Sequence, residues 1–181
     1  MRSAVLLIGC AILGRAAGPA PLRIRVLVHV DAPASALRSL PVRGREIFDR
    51  AGIPTEWSVC TPARGDCARL AEGEVLLKLV PRAWWKGARP GAFGAVLREG
   101  DAGRAAWIFY DPIRQAAQAN RVSSGLLMGF VMAHEVGHLL GLDHALGGIM
   151  HCEFTGAEIR KASMGRLRFS ADEARQLLAY R

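Results

Sequence analysis

HEVGHLLGLDHALGGIM, residues 134–150, holds three of the five histidines of a 181-residue chain, the first of them followed directly by a glutamate. An apolar run, LLMGFVMA, leads into it. The spacing therefore predicts one helix, entered at Ser123 or Ser124 as the cap and running to about Leu140. His134 and His138 stand four residues apart, so both rings leave the same helix face about one turn from each other. That lets two imidazoles reach a single ion at about 2.0–2.1 Å. Glu135 is rotated about 100° from His134 and can hold a water without ligating the ion itself. A straight helix would carry His144 away, but Gly141 can take positive φ, end the helix and turn the chain back. His144 then completes a three-histidine site with one open coordination position, which is a catalytic rather than a structural arrangement. The bland alternative is three unrelated core or surface histidines. Five specified positions coincide by chance with a frequency on the order of 10⁻⁵, which disfavours it.

HEVGHLLGLDH matches the HExxHxxGxxH zinc signature, and Gly148-Ile149-Met150 follows at the place of a Met-turn, so the chain resembles the metzincin metallopeptidases. The likeness is closest to the matrixin branch, through the Gly-Leu-Asp-His ending and the compact size. It extends to short exported matrixin- or adamalysin-like peptidases of bacteria, whose first helix and second strand FDRAGIPTEW (48–57) resembles. The resemblance implies an α/β fold of the α+β type, with a mixed twisted sheet, an active-site helix, a Met-turn and a C-terminal helix. It implies one catalytic Zn2+ held by His134, His138 and His144, with Met150 as an apolar floor beneath the rings. The implied reaction is peptide-bond hydrolysis by zinc-activated water, with Glu135 as general base and then proton donor to the departing amine. Substrate would lie as an extended strand along GAFGAVL (91–97), and His151 to Thr155 would shape the pocket for the residue after the scissile bond.

Several residues depart from the family. Ala145 follows the third histidine, where matrixins have Ser, adamalysins Asp and astacins Glu. Cys152 stands where astacins carry a tyrosine near the zinc. Only His29 and His151 remain for the second, structural zinc of matrixins, which is too few, and the paired cysteines of archaemetzincins after the third histidine are absent. A single ion is therefore expected. His151, beside the Met-turn, is expected to act behind the site or face solvent. Trp84 and Trp85 either line a substrate surface or lie under the loop. Two other function classes stay open: an inactive zinc-containing peptide-binding domain, which the intact Glu135 argues against, and an amide hydrolase acting on non-peptide substrates.

Composition is that of a globular chain, with 51% apolar and 22% charged residues. The formal charge of +8 comes from 24 basic residues, of which only three are lysine, in the pattern of a GC-rich genome. The arginines are scattered and no nucleic-acid module accompanies them, so no nucleic-acid partner is expected. Residues 1–20 read as an export signal, with Arg2, an apolar run from Ala4 to Leu13 and small residues after it. Simple secretion, to the outside or to a periplasm, is the first reading. A lipoprotein box at Leu7-Ile8-Gly9-Cys10, anchoring the chain to a membrane through Cys10, is the second. One catalytic domain then spans 21–181. Export permits disulfides. Cys60 and Cys67 flank a Pro- and Gly-containing loop and are the preferred pair, leaving Cys152 free; Cys60–Cys152 is the alternative.

Period-two alternation predicts a strand at LRIRVLVHV from Leu22, and strands are also read at TEWSVC (55–60), EVLLKLV (74–80) and RAAWIFY (104–110), the last ended by Asp111-Pro112. Helical spacing covers 35–51, stopped by Gly52 and Pro54. Residues 82–104 read as an irregular loop with a short strand at AFGAVL. Ser170 and Glu173 have the spacing of a capping box and open the last helix, which runs on to the C-terminus.

Overall fold

The computed structural model describes residues 20–62, 67, 70, 71, 73–84, 86, 87, 91–96 and 105–179. Residues 1–19, with Cys10, and Trp85 lie outside them. Among the described residues five strands form one sheet: β1 (Leu22–Val28), β2 (Thr55–Cys60), β3 (Val75–Val80), β4 (Gly94–Val96) and β5 (Ala105–Phe109). Their order is β2-β1-β3-β5-β4; β4 alone is antiparallel, and it forms one edge. This is the mixed, twisted α/β sheet that the sequence predicts.

Alternation sets the register. Leu22, Ile24, Val26 and Val28 of β1 are buried, as are Val75, Leu77 and Leu79 of β3, which lies parallel beside it. A slip of one residue would turn either row to the other face. Helix α1 (Ala34–Asp49) buries Ala36, Leu40, Gly44, Ile47 and Phe48 and packs against β2. Pro41 lies within it and removes one helical hydrogen bond, so the buried stripe rather than local propensity holds this turn. Helix α3 (Ser124–Leu139) packs beside α1 and reaches β3, β4 and β5. It is apolar on nearly every face, and such a helix belongs in the middle of a domain. Residues 127–137 are buried without interruption.

Two helices were not expected. Helix α2 (Tyr110–Ala119) begins on the residue after β5, with Phe109 as its cap position and Asp111 in its first turn. Asp111-Pro112 thus ends the strand as predicted, and also starts a helix, since proline is tolerated in a first turn and acidic residues are favourable there. Helix α4 (Gly156–Ser163) is capped by Thr155, whose side chain accepts from the Ala157 N–H and also bonds Glu158. Ser123 holds the cap position of α3, but its side chain makes no cap hydrogen bond. In α5 (Ala171–Ala179) the reciprocal box forms as read: Ser170 N–H donates to Glu173 Oε2 at 2.6 Å, and Glu173 N–H to Ser170 Oγ at 3.2 Å. The short strand expected at AFGAVL is β4. Trp84 ends a single 3₁₀ turn, Arg82–Trp84, and its ring lies 5.3 Å from that of His29. No helix among the described residues is long and apolar enough to cross a membrane.

Cys60 and Cys67 are joined in a disulfide, and Cys152 is free and exposed. Closing a loop between residues seven apart restricts the unfolded chain by about 2.5 kcal/mol on the chain-entropy relation. Replacing Cys60 and Cys67 together by serine should lower the thermal midpoint by about 5–10 °C. Cys152→Ser should leave it within about 1 °C, both read by calorimetry.

Candidate active site

Helix α3 delivers His134, Glu135 and His138 from the centre of the fold to one end of a cleft. Its last turn closes through Gly141, at φ +89°, where Gly141 N–H donates to His138 O and Leu142 N–H to Gly137 O at 2.9 Å. That paired closure is the Schellman arrangement, and it reverses the chain so that His144 faces the helix it has just left. The segment is then tied to the Met-turn, where Ala145 N–H donates to Met150 O at 2.8 Å beside a bridge between Ala145 and His151. Met150 is fully buried under the helix end. A Cβ on Gly137 would lie 2.5 Å from its sulfur, so this helix position has to be glycine for the Met-turn to approach.

The ligand atoms of His134, His138 and His144 all lie within 4.8 Å of one another. His138 Nε2 stands 3.0 Å from His134 Nε2 and 3.2 Å from His144 Nε2. Neighbouring rings are close to perpendicular, at 89° and 85°. The backbone fixes the tautomers. His134 Nδ1 lies 2.8 Å from Ile149 O, and His138 Nδ1 lies 2.8 Å from Leu142 O. A carbonyl only accepts, so both Nδ1 atoms carry the proton and both Nε2 atoms present lone pairs to the shared point. Lone pairs converging at these distances repel, and a cation between them removes that repulsion. An all-imidazole set on a common centre, with the His134 and His138 rings each backed by a hydrogen bond, suits zinc.

Glu135 is 5% exposed, and no hydrogen bond to a described residue holds it. Burial pushes its carboxyl up to about 8. Burial also pulls His134 down to about 4, opposed by its bond to Ile149 and reinforced by the neighbouring histidines. The cleft, about 1,030 Å³, is lined by these groups together with Gly91–Val96 of the β4 segment, Val131, Asp143 and residues 152–155. Phe154 stands edge-on to His134 at 5.6 Å and 6.2 Å from Phe93. Of the stretch His151 to Thr155, Cys152 to Thr155 face the cleft. His151 instead turns its Nδ1 toward the backbone of Glu153, and neither it nor Trp84 lines the cleft. The sequence does not single out Val131 and Asp143 as lining residues, yet both are local to the histidines, Val131 three residues before His134 on α3 and Asp143 directly before His144; Phe93 falls in the stretch 91–97 expected to receive substrate.

Solved structures share this fold. A crystal structure of archaemetzincin from Methanopyrus kandleri matches with a TM-score of 0.59 and 15% identity, over 88% of this chain and 95% of that one. No protein-family model matches the chain, and no curated protein matches it significantly.

The raised carboxyl makes a pH prediction for chelator-treated protein. Between its unfolded value of 4.5 and about 8, Glu135 holds its proton in the fold and loses it on unfolding. The native state then binds more protons, so this group lowers stability as pH rises through that window. His134 acts in the opposite sense only between about 4 and 6.5. Glu135→Gln should therefore gain thermal stability relative to the parent protein on going from pH 6.5 to 8. An unchanged difference across that range would show a solvated Glu135.

Proposed function

We propose that the protein is a zinc-dependent endopeptidase. The observation that carries this reading is the convergence of three imidazole Nε2 atoms, two with tautomers fixed by backbone carbonyls, next to a buried carboxylate that no described residue neutralises. Zinc, when bound there, supplies a Lewis acid that polarises a carbonyl and makes water a usable nucleophile near neutral pH. His134, His138 and His144 are the ligands, for one ion, and Met150 closes the site from below.

Glu135 takes the proton from water and returns it to the departing amine. Its burial suits the task, because a carboxyl lifted toward neutrality is a stronger base than one in solvent. Substrate binds in extended form along β4, whose outer edge lies at the end of the sheet order and has backbone groups to offer a peptide. Phe93, Phe154 and Val131 give the cleft an apolar wall for a substrate side chain. The shared fold with archaemetzincin agrees with a metzincin. The matrixin branch rests on the Gly-Leu-Asp-His ending alone, and the fold likeness does not single it out. Export, by secretion or through a lipid on Cys10, is likewise proposed from the N-terminal sequence.

Digestion of a diverse peptide library by the zinc-loaded protein, read by mass spectrometry, tests the reading. Cuts should come from the parent protein, and Glu135→Gln should retain zinc while losing at least about 10²-fold in kcat/KM. His144→Ala should lose stoichiometric zinc. A protein that binds zinc and cuts nothing would instead be a peptide-binding domain. Cleavage confined to non-peptide amides would make it a different hydrolase.

A further inference from the structure

Strand β4 contains a glycine that its backbone does not require. Gly94 pairs with Ile108 in ordinary strand register and is not among the residues with positive φ. Glycine inside a strand carries an entropic cost, so its presence calls for a reason in space rather than in conformation. A Cβ at Gly94 would lie 2.5 Å from Glu135 Oε1, 2.8 Å from Cδ and 2.9 Å from Cγ. These are the three nearest heavy atoms, and all belong to one side chain. Glu135 has no hydrogen bond to a described residue, so its rotamer is set by what it packs against.

We propose that Gly94 is the positioning residue for Glu135: the side chain it lacks leaves the volume in which the carboxylate stands, and β4 is the wall that keeps it there. The strand edge proposed to receive substrate and the group proposed to move the proton are then one fitted unit. The catalytic consequence rests on the peptidase reading, whereas the steric relation does not. Because the atoms in the way are the far end of a side chain, a methyl group at position 94 can be accommodated by swinging Glu135 to another rotamer. His134 and His138, anchored to Ile149 and Leu142, have no reason to move. A displacement of about 1 Å at a reacting group is worth about 10²-fold in rate.

The test uses the full chain and two readouts. In zinc-loaded protein, Gly94→Ala should lower kcat by about 10²-fold on any peptide the parent cuts, with a smaller change in KM. Zinc affinity, measured by competition with a chromogenic chelator, should stay within about threefold. The second readout needs no activity. A double-mutant cycle on thermal midpoints should show that Gly94→Ala costs at least about 3 °C less in a Glu135→Ala background, where the carboxylate is gone, than in the parent. Folding of the double variant but not of Gly94→Ala alone would be the extreme form of that result. Equal costs in both backgrounds, failure of both to fold, or a large loss of zinc affinity would each overturn the proposal. Coupling in the cycle, with a parent protein that cuts no peptide, would leave Gly94 in its role and remove the peptidase reading.

Discussion

The carbonyl oxygens of Leu142 and Ile149 govern the chemistry that the rest of the site can perform. By accepting from the Nδ1 atoms of His138 and His134, they choose the tautomer of each ring and aim both lone pairs at one point. Each carbonyl is itself held by an identifiable device. Leu142 is placed by the glycine turn that ends α3. Ile149 is placed from the other side, since its N–H donates to Arg168 O at 3.1 Å, two residues before the capping box that starts α5. A short-range turn and a strap from the far end of the chain thus converge on one pair of imidazoles. Either failing would let a ring rotate and present a proton where a lone pair is needed.

The second constraint is the dryness of α3. A helix apolar on all faces is stable only in the interior, and its burial takes His134 and Glu135 out of water along with the leucines and methionines around them. Desolvation disfavours charge on both groups, so the helix is less stable with Glu135 than it would be with an apolar residue there. The surrounding core, which includes Leu127, Met128, Val131, Met132 and Val136, offsets that penalty. On the proposed reading, function and stability pull against each other at this position, which is the usual condition of a residue kept for chemistry.

Much of this was legible in the sequence because it is local. The interval of four between His134 and His138, the glycine three residues later and the methionine after it are relations within one short segment, and helix geometry converts them directly into positions. The four longer strands declared themselves by alternation or apolar runs. What escaped was of two kinds. Helices α2 and α4 were hidden by signals that serve two purposes or were passed over: Asp111-Pro112 both stops β5 and starts α2, and Thr155 with Glu158 has the spacing of a capping box in an otherwise unpatterned stretch. The two cleft walls were legible separately, at 91–97 and 151–155, but the way they meet was hidden because it is not local at all. Phe93 and Phe154 lie far apart in the chain, and the relation of Gly94 to Glu135 exists only once β4 is laid against α3.

X-ray absorption at the zinc edge of the metal-loaded protein tests the central claim most directly. The account predicts one zinc per chain with three imidazole nitrogens at about 2.0–2.1 Å and one further light-atom ligand. A sulfur shell at about 2.3 Å, which Cys152 at the cleft could supply, or a protein that takes up no zinc, would contradict a three-histidine centre with an open position.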